Sequence, residues 1–148
     1  MKVEQVVSQS YALKFEGYWS EEIIKNIPNK SGVYCAYACN NNPETVRIRS
    51  LIYIGEAANV NDRIVKHEKW PKWRKHLKKG EEICFNFASV QSTDRDRVEA
   101  ALVFQHKPPE NTDYVDTFPF DETELTTSDH NKLLTARFTV RRTPSNPT

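Results

Sequence analysis

A chain of 148 residues fits one domain, and a domain of that size buries roughly 70% of its unfolded surface, so its core needs no staple. With 38% hydrophobic and 28% charged residues the mix is that of an ordinary soluble protein, and a net charge of +1 says little about partners. No apolar run is long enough to span a membrane, and residues 1–9 are polar, without the apolar centre of a cleavable signal peptide.

Three cysteines, Cys35, Cys39 and Cys84, are an odd number. With no export signal they point to free thiols in a reducing cytosol. Zinc is disfavoured, because tight Cys-x-x-Cys knuckles are absent.

In chain order, "WSEEIIKNI" (19–27) predicts a short helix that Ser20 can cap. "VYCAYAC" (33–39) predicts a strand, followed by a turn-rich loop over 40–43. "SLIYIG" (50–55) predicts a second strand, antiparallel to the first if the return is short. Asn59 can cap a helix running to about Trp70, with Val60, Ile64 and His67 on one face and Pro71 ending or kinking it. "EICFNFASV" (82–90) alternates as a third strand. Thr93 caps a helix over 93–106 that Lys107, Pro108 and Pro109 stop, and "ARFTVRR" (136–142) reads as a late strand before a disordered end, "TPSNPT". The order predicts an α+β domain: a small three-stranded antiparallel sheet flanked by helices, with a C-terminal extension over 112–148.

The charge is unevenly placed. From 63 to 79 there are eight Lys/Arg, two His and one acid, Glu68, while 108–131 holds seven acids and no Lys or Arg. Such asymmetry predicts a face for a polyanion. Lys66, Lys69, Lys72, Arg74, Lys75, Lys78 and Lys79 are the candidate nucleic-acid contacts, interleaved with Trp70 and Trp73.

"GVY" at 32–34 and "YIG" at 53–55 resemble the paired tripeptides of the GIY-YIG nucleases. Arg63 and His67 follow, one turn apart, then Glu99 in "RVEAAL", then Pro109 and Asn111, in the family's order over 32–111. Alone, each of these residues reads as core or surface; together they make the resemblance specific. It implies a metal-dependent DNA endonuclease. Catalytic residues would be Tyr34, Tyr53, Arg63, His67, Glu99 and Asn111. Glu99 would ligate Mg²⁺ or Mn²⁺, Arg63 would bind the scissile phosphate, and Tyr34, Tyr53 and His67 would position and deprotonate water. Asn111 would brace the site. The protein would be cytoplasmic and DNA-associated, with specificity supplied by loops, a homodimer or a protein partner.

Two departures stand out. The loop between the tripeptides is long, and position 56 is Glu where several members of the family carry lysine. Glu56 favours the alternative of a catalytically inactive nucleic-acid-binding module. A third reading is a protein-interaction domain using the acidic stretch 110–129. At the hinge itself, Gly55 is expected to let the backbone turn sharply from strand to helix.

Overall fold

Tyr11, Leu13 and Phe15 alternate with the exposed residues Ala12 and Lys14. The computed structural model, which describes residues 8–40 and 45–145, carries them on a long strand, β1 (Gln9–Trp19). Then come a 3-10 helix (Glu21–Asn26) and strands β2 (Gly32–Asn40) and β3 (Ile48–Ala57). Helices α1 (Val60–Val65) and α2 (Trp70–Arg74) lead to β4 (Glu81–Ser89), and α3 (Arg95–His106) precedes β5 (Thr123–Asp129) and β6 (Arg137–Val140). Residues 41–43 of the expected turn-rich loop and the last three residues of the expected disordered end (146–148) lie outside the described residues.

The sheet order is β3-β2-β4-β1-β5-β6. Only the β1–β5 pairing is parallel; the other four are antiparallel. The expected three-stranded sheet flanked by helices is therefore corrected. Its three strands exist as β3-β2-β4, but they are half of a six-stranded mixed sheet that curls part-way to a barrel, and the protein is mostly β. A three-stranded sheet would leave β4 with a bare edge. Here β1 pairs with that edge, and β5 and β6 extend the sheet beyond it.

Alternation along β2 and β4 separates two cores. Val33, Cys35, Tyr37, Cys84 and Ala88 pack with Leu13, Phe15 and the α3 residues Val98, Ala101 and Leu102. Tyr34, Ala36, Phe85 and Phe87 pack on the other face with Val60, Ile64 and Trp73. All three cysteines are free and buried. A β-bulge opposite Ala36 and Tyr37 lets Ile52 and Tyr53, consecutive on β3, both join the second core.

The helices differ from expectation at their ends. Ser20 makes no side-chain cap, and the cap position of α3 is Asp94, not Thr93. Asn59 does cap α1, its side chain accepting from the Asp62 N–H at 3.0 Å. The helix stops at Val65 rather than reaching Trp70, because side chains take over its groups. Trp70 Nε1 donates to Ile64 O at 2.7 Å, and His67 Nδ1 accepts from the Lys69 N–H at 3.0 Å. Pro71 then opens α2 instead of ending α1, where its missing N–H costs nothing. No helix among the described residues is long and apolar enough to cross a membrane.

Gly55 is not a turn. It sits within β3, directly opposite Tyr34 on β2, and a Cβ there would lie 2.4 Å from the Tyr34 ring and hydroxyl. The glycine exists so that the ring can lie across the strand. Gly55→Ala should destabilise the fold by about 1–3 kcal/mol in urea unfolding, the usual cost of overpacking. In a Tyr34→Ala background the same change should cost far less; equal costs in both backgrounds would contradict this reading.

Candidate active site

The site grows from the outer edge of β3. An edge strand presents unpaired backbone groups, which must find partners. The Glu110 N–H donates to Ile52 O at 3.1 Å. Asn111 then does with one side chain what a strand would do. Its Oδ1 accepts from the Ile54 N–H at 2.9 Å, and its Nδ2 donates to Ile54 O at 2.8 Å. One step further along, the Glu56 backbone acts on the Glu99 carboxylate and favours its charged form. Thus Asn111, from the loop after α3, and Glu99, from α3 itself, stand along one strand edge. They line a cleft of about 230 Å³ together with Tyr53, Lys69, Thr112 and Asp113.

The rings come from the second core. Tyr34 and Tyr53 lie 6.3 Å apart between centroids, and Tyr53 meets the edge of His67 at 5.4 Å. Tyr34 is almost wholly buried and Tyr53 only half so. Burial is the main reason the Tyr34 hydroxyl titrates well above its ordinary range. Burial, then the Glu99 charge, pushes Tyr53 up to about 12, against the pull of Arg63.

His67 has left the helix but still faces the core, 4% exposed and 4.6 Å from the Trp73 ring. Because Nδ1 accepts the Lys69 N–H, the proton sits on Nε2, which has no hydrogen-bond partner among the described residues. Burial, then Arg63, lowers its pKa to about 4, so the ring is neutral at pH 7. Arg63 is half-exposed beside these rings, and its guanidinium is gripped by Glu68, with Nη1–Oε2 at 2.8 Å and Nη2–Oε1 at 3.0 Å.

Burial, reinforced by Glu56, Asp96 and Asp113, pushes the Glu99 carboxyl up to about 8. A bare Glu99 therefore binds a proton at neutral pH, and a divalent cation can compete for the same place. Among the described residues no three His, Cys, Asp or Glu side chains converge as a ready ligand set. An ion on Glu99 would keep most of its water, which suits Mg²⁺. Glu56 does not leave its charge bare: Arg95 Nε lies 2.8 Å from Glu56 Oε2, a close ion pair although no aligned hydrogen bond.

The basic stretch divides. Lys66 pairs with Asp62 at 2.9 Å, and Arg74 pairs with Glu21 at 2.6 Å while covering the Trp70 ring. Lys69 turns into the cleft, 5.1 Å over the Tyr53 ring, and donates to Glu110 O at 3.0 Å. Lys72, Lys75, Lys78 and Lys79 are exposed and carry no ion pair among the described residues. Trp73 is fully buried and Trp70 half-buried against Phe85, so neither offers a free stacking platform.

Thus the structure gathers Tyr34, Tyr53, Arg63, His67, Glu99 and Asn111 around one strand edge. Sequence reasoning placed Lys69 among the outer DNA contacts and not in the cleft, and it missed the Glu56–Arg95 pair and the Glu68 grip on Arg63. Of the two missed pairs only the last had a visible signal, as the lone acid in a basic run. A larger hollow of about 340 Å³ near Tyr18, Ile48 and Lys132 is lined by no acid or histidine. The chain matches no family model, no curated protein and no solved structure.

The neutral, buried His67 has a measurable consequence. Its folded pKa lies below the unfolded value, so the unfolded chain takes the proton first. Stability should fall as pH drops from about 6.5 to about 4, by up to about 3 kcal/mol. His67→Gln should flatten that part of a stability–pH curve measured in urea; an unchanged slope would contradict the assignment.

Proposed function

We propose that the protein is a metal-dependent DNA endonuclease of the GIY-YIG kind, hydrolysing a phosphodiester at the β3 edge. The observation that carries this reading is the arrangement of Glu99, Tyr53, Asn111 and Lys69 around one cleft, with Tyr34, His67 and Arg63 adjoining it. Strands β2 and β3 supply the tyrosines, α1 and α3 supply Arg63 and Glu99, and the turn after α1 and the loop after α3 supply His67, Lys69 and Asn111; rigid elements favour the fixed geometry that phosphoryl chemistry needs.

In this reading the Arg63 fork takes a non-bridging phosphate oxygen and holds the phosphorus in register with the tyrosines. Tyr53, the more exposed ring, orients the attacking water, and Tyr34 fixes Tyr53. His67, neutral and with its proton on Nε2, acts as a hydrogen-bond donor beside them in this tautomer. Lys69 supplies an ammonium inside the cleft, which position 56, a glutamate, does not. Glu99 would hold Mg²⁺ or Mn²⁺. When bound, the ion would supply charge stabilisation on the phosphoryl oxygens and favour deprotonated water. Both tyrosines resist ionisation in the bare protein, so base catalysis by either depends on added positive charge nearby.

Lys72, Lys75, Lys78 and Lys79 would track the flanking DNA backbone as point charges. Cutting both strands calls for a homodimer or two visits, and the substrate would place the protein in the cytoplasm with the DNA. Glu99 also weighs against the alternative of an inactive binding module, because binding alone needs no half-buried carboxyl with a raised proton affinity.

Purified Glu99→Gln and Arg63→Ala should each lose at least about a hundredfold in nicking of supercoiled plasmid with Mg²⁺ or Mn²⁺, while keeping the wild-type circular dichroism and unfolding midpoint. Full activity in either variant would contradict the proposal.

A further inference from the structure

The run from 63 to 79 holds one acid, and the fold gives that acid to Arg63. Glu68 presents two oxygens to two guanidinium nitrogens, at 2.8 and 3.0 Å, the two-point grip that a phosphate offers the same fork. It stands among the site groups: its Oε2 lies 3.8 Å from His67 Nδ1, and its charge acts on both Tyr34 and Tyr53. Glu68 lies in the turn between α1 and α2, and its side chain is 66% exposed against 40% for Arg63. Among the described residues its carboxylate pairs with Arg63 and His67, and, being largely exposed, it can leave Arg63 without uncovering the core.

We propose that Glu68 is a positioning residue that stands in for the substrate phosphate, occupying the Arg63 fork until a phosphodiester displaces it. The inference rests on the proposed function only in taking the ligand to be a phosphodiester. Its consequence is that Glu68 sets a threshold. A ligand must out-compete a carboxylate for Arg63, which a doubly contacted phosphate does and a single carboxylate of an acidic peptide does not. Arg63 meanwhile stays extended toward the tyrosines instead of folding onto the acids around Glu99.

The test is a double-mutant cycle read by fluorescence anisotropy on a labelled DNA duplex in EDTA. Glu68→Gln should lower Kd about two- to fivefold, the range in which an exposed ion pair lies. In an Arg63→Ala background Glu68→Gln should have little effect. Asp62→Asn, which removes a charge from the neighbouring helix turn, controls for simple loss of repulsion and should tighten binding less. In steady-state cleavage Glu68→Gln should lower KM with kcat unchanged.

Equal tightening with and without Arg63, equal tightening by Asp62→Asn, or a fall in kcat would each overturn the proposal. The two readings separate cleanly. Coupled binding without cleavage in Mg²⁺ or Mn²⁺ would remove the nuclease and leave Glu68 in its role. Cleavage without coupling would do the reverse, and absence of DNA binding by every form would remove both.

Discussion

The closure of the β3 edge is the constraint on which the site depends. A strand at the margin of a sheet must hide its outward N–H and C=O groups or risk pairing with another chain. Here two successive outward positions, Ile52 and Ile54, are met by the Glu110 backbone and the Asn111 amide, and the Glu99 carboxylate stands beside the next, Glu56. The protein thus protects its edge with polar groups that also line a cleft. Removing Asn111 would leave two backbone groups unsatisfied and loosen the segment that carries Glu110 into contact with His76 at 2.7 Å.

Electrostatics then divides the cleft. Acids gather at its α3 side, where burial and then the charges of Glu56, Asp96 and Asp113 raise the proton affinity of Glu99. Cations gather at the α1–α2 side, where Arg63 and Lys69 add to the burial that holds His67 neutral. The net charge of +1 hides this, because the two fields cancel in the sum and not in space. Tyr53 stands between them, its ring under Lys69 and its hydroxyl affected by Glu99. A phosphodiester with a bound cation would satisfy both sides at once, which is the physical basis of the proposed chemistry.

Much of the site was legible because it follows local rules. The alternation in β2 and β4 put Tyr34 on a definite face, and the order of Tyr34, Tyr53, Arg63, His67, Glu99 and Asn111 matched what the resemblance implies. The rest turned on tertiary pairing. Gly55 reads as a turn in sequence, yet its role is to seat the Tyr34 ring, and that requires knowing the register of two strands. In β1 the alternation of Tyr11, Leu13 and Phe15 is a strand signal, but its parallel partner β5 lies at the far end of the sequence. β5 gave little signal, since its buried positions include Thr123 and Thr127, whose hydroxyls find partners in Asp121 O and Thr135 O. The early end of α1 was hidden too, because the groups that replace its backbone bonds are the Trp70 and His67 side chains.

The central claim is that the β3-edge cleft takes a divalent cation on Glu99 beside a phosphate-binding face. The most direct measurement is paramagnetic broadening of NMR signals by Mn²⁺ added to the full chain. The Asn111 side-chain amide and the Glu56 backbone amide, both tied to this edge, should broaden at low Mn²⁺ while signals from β6 stay sharp, and Glu99→Gln should abolish the effect. Broadening that is uniform over the surface, or unchanged in Glu99→Gln, would contradict the claim.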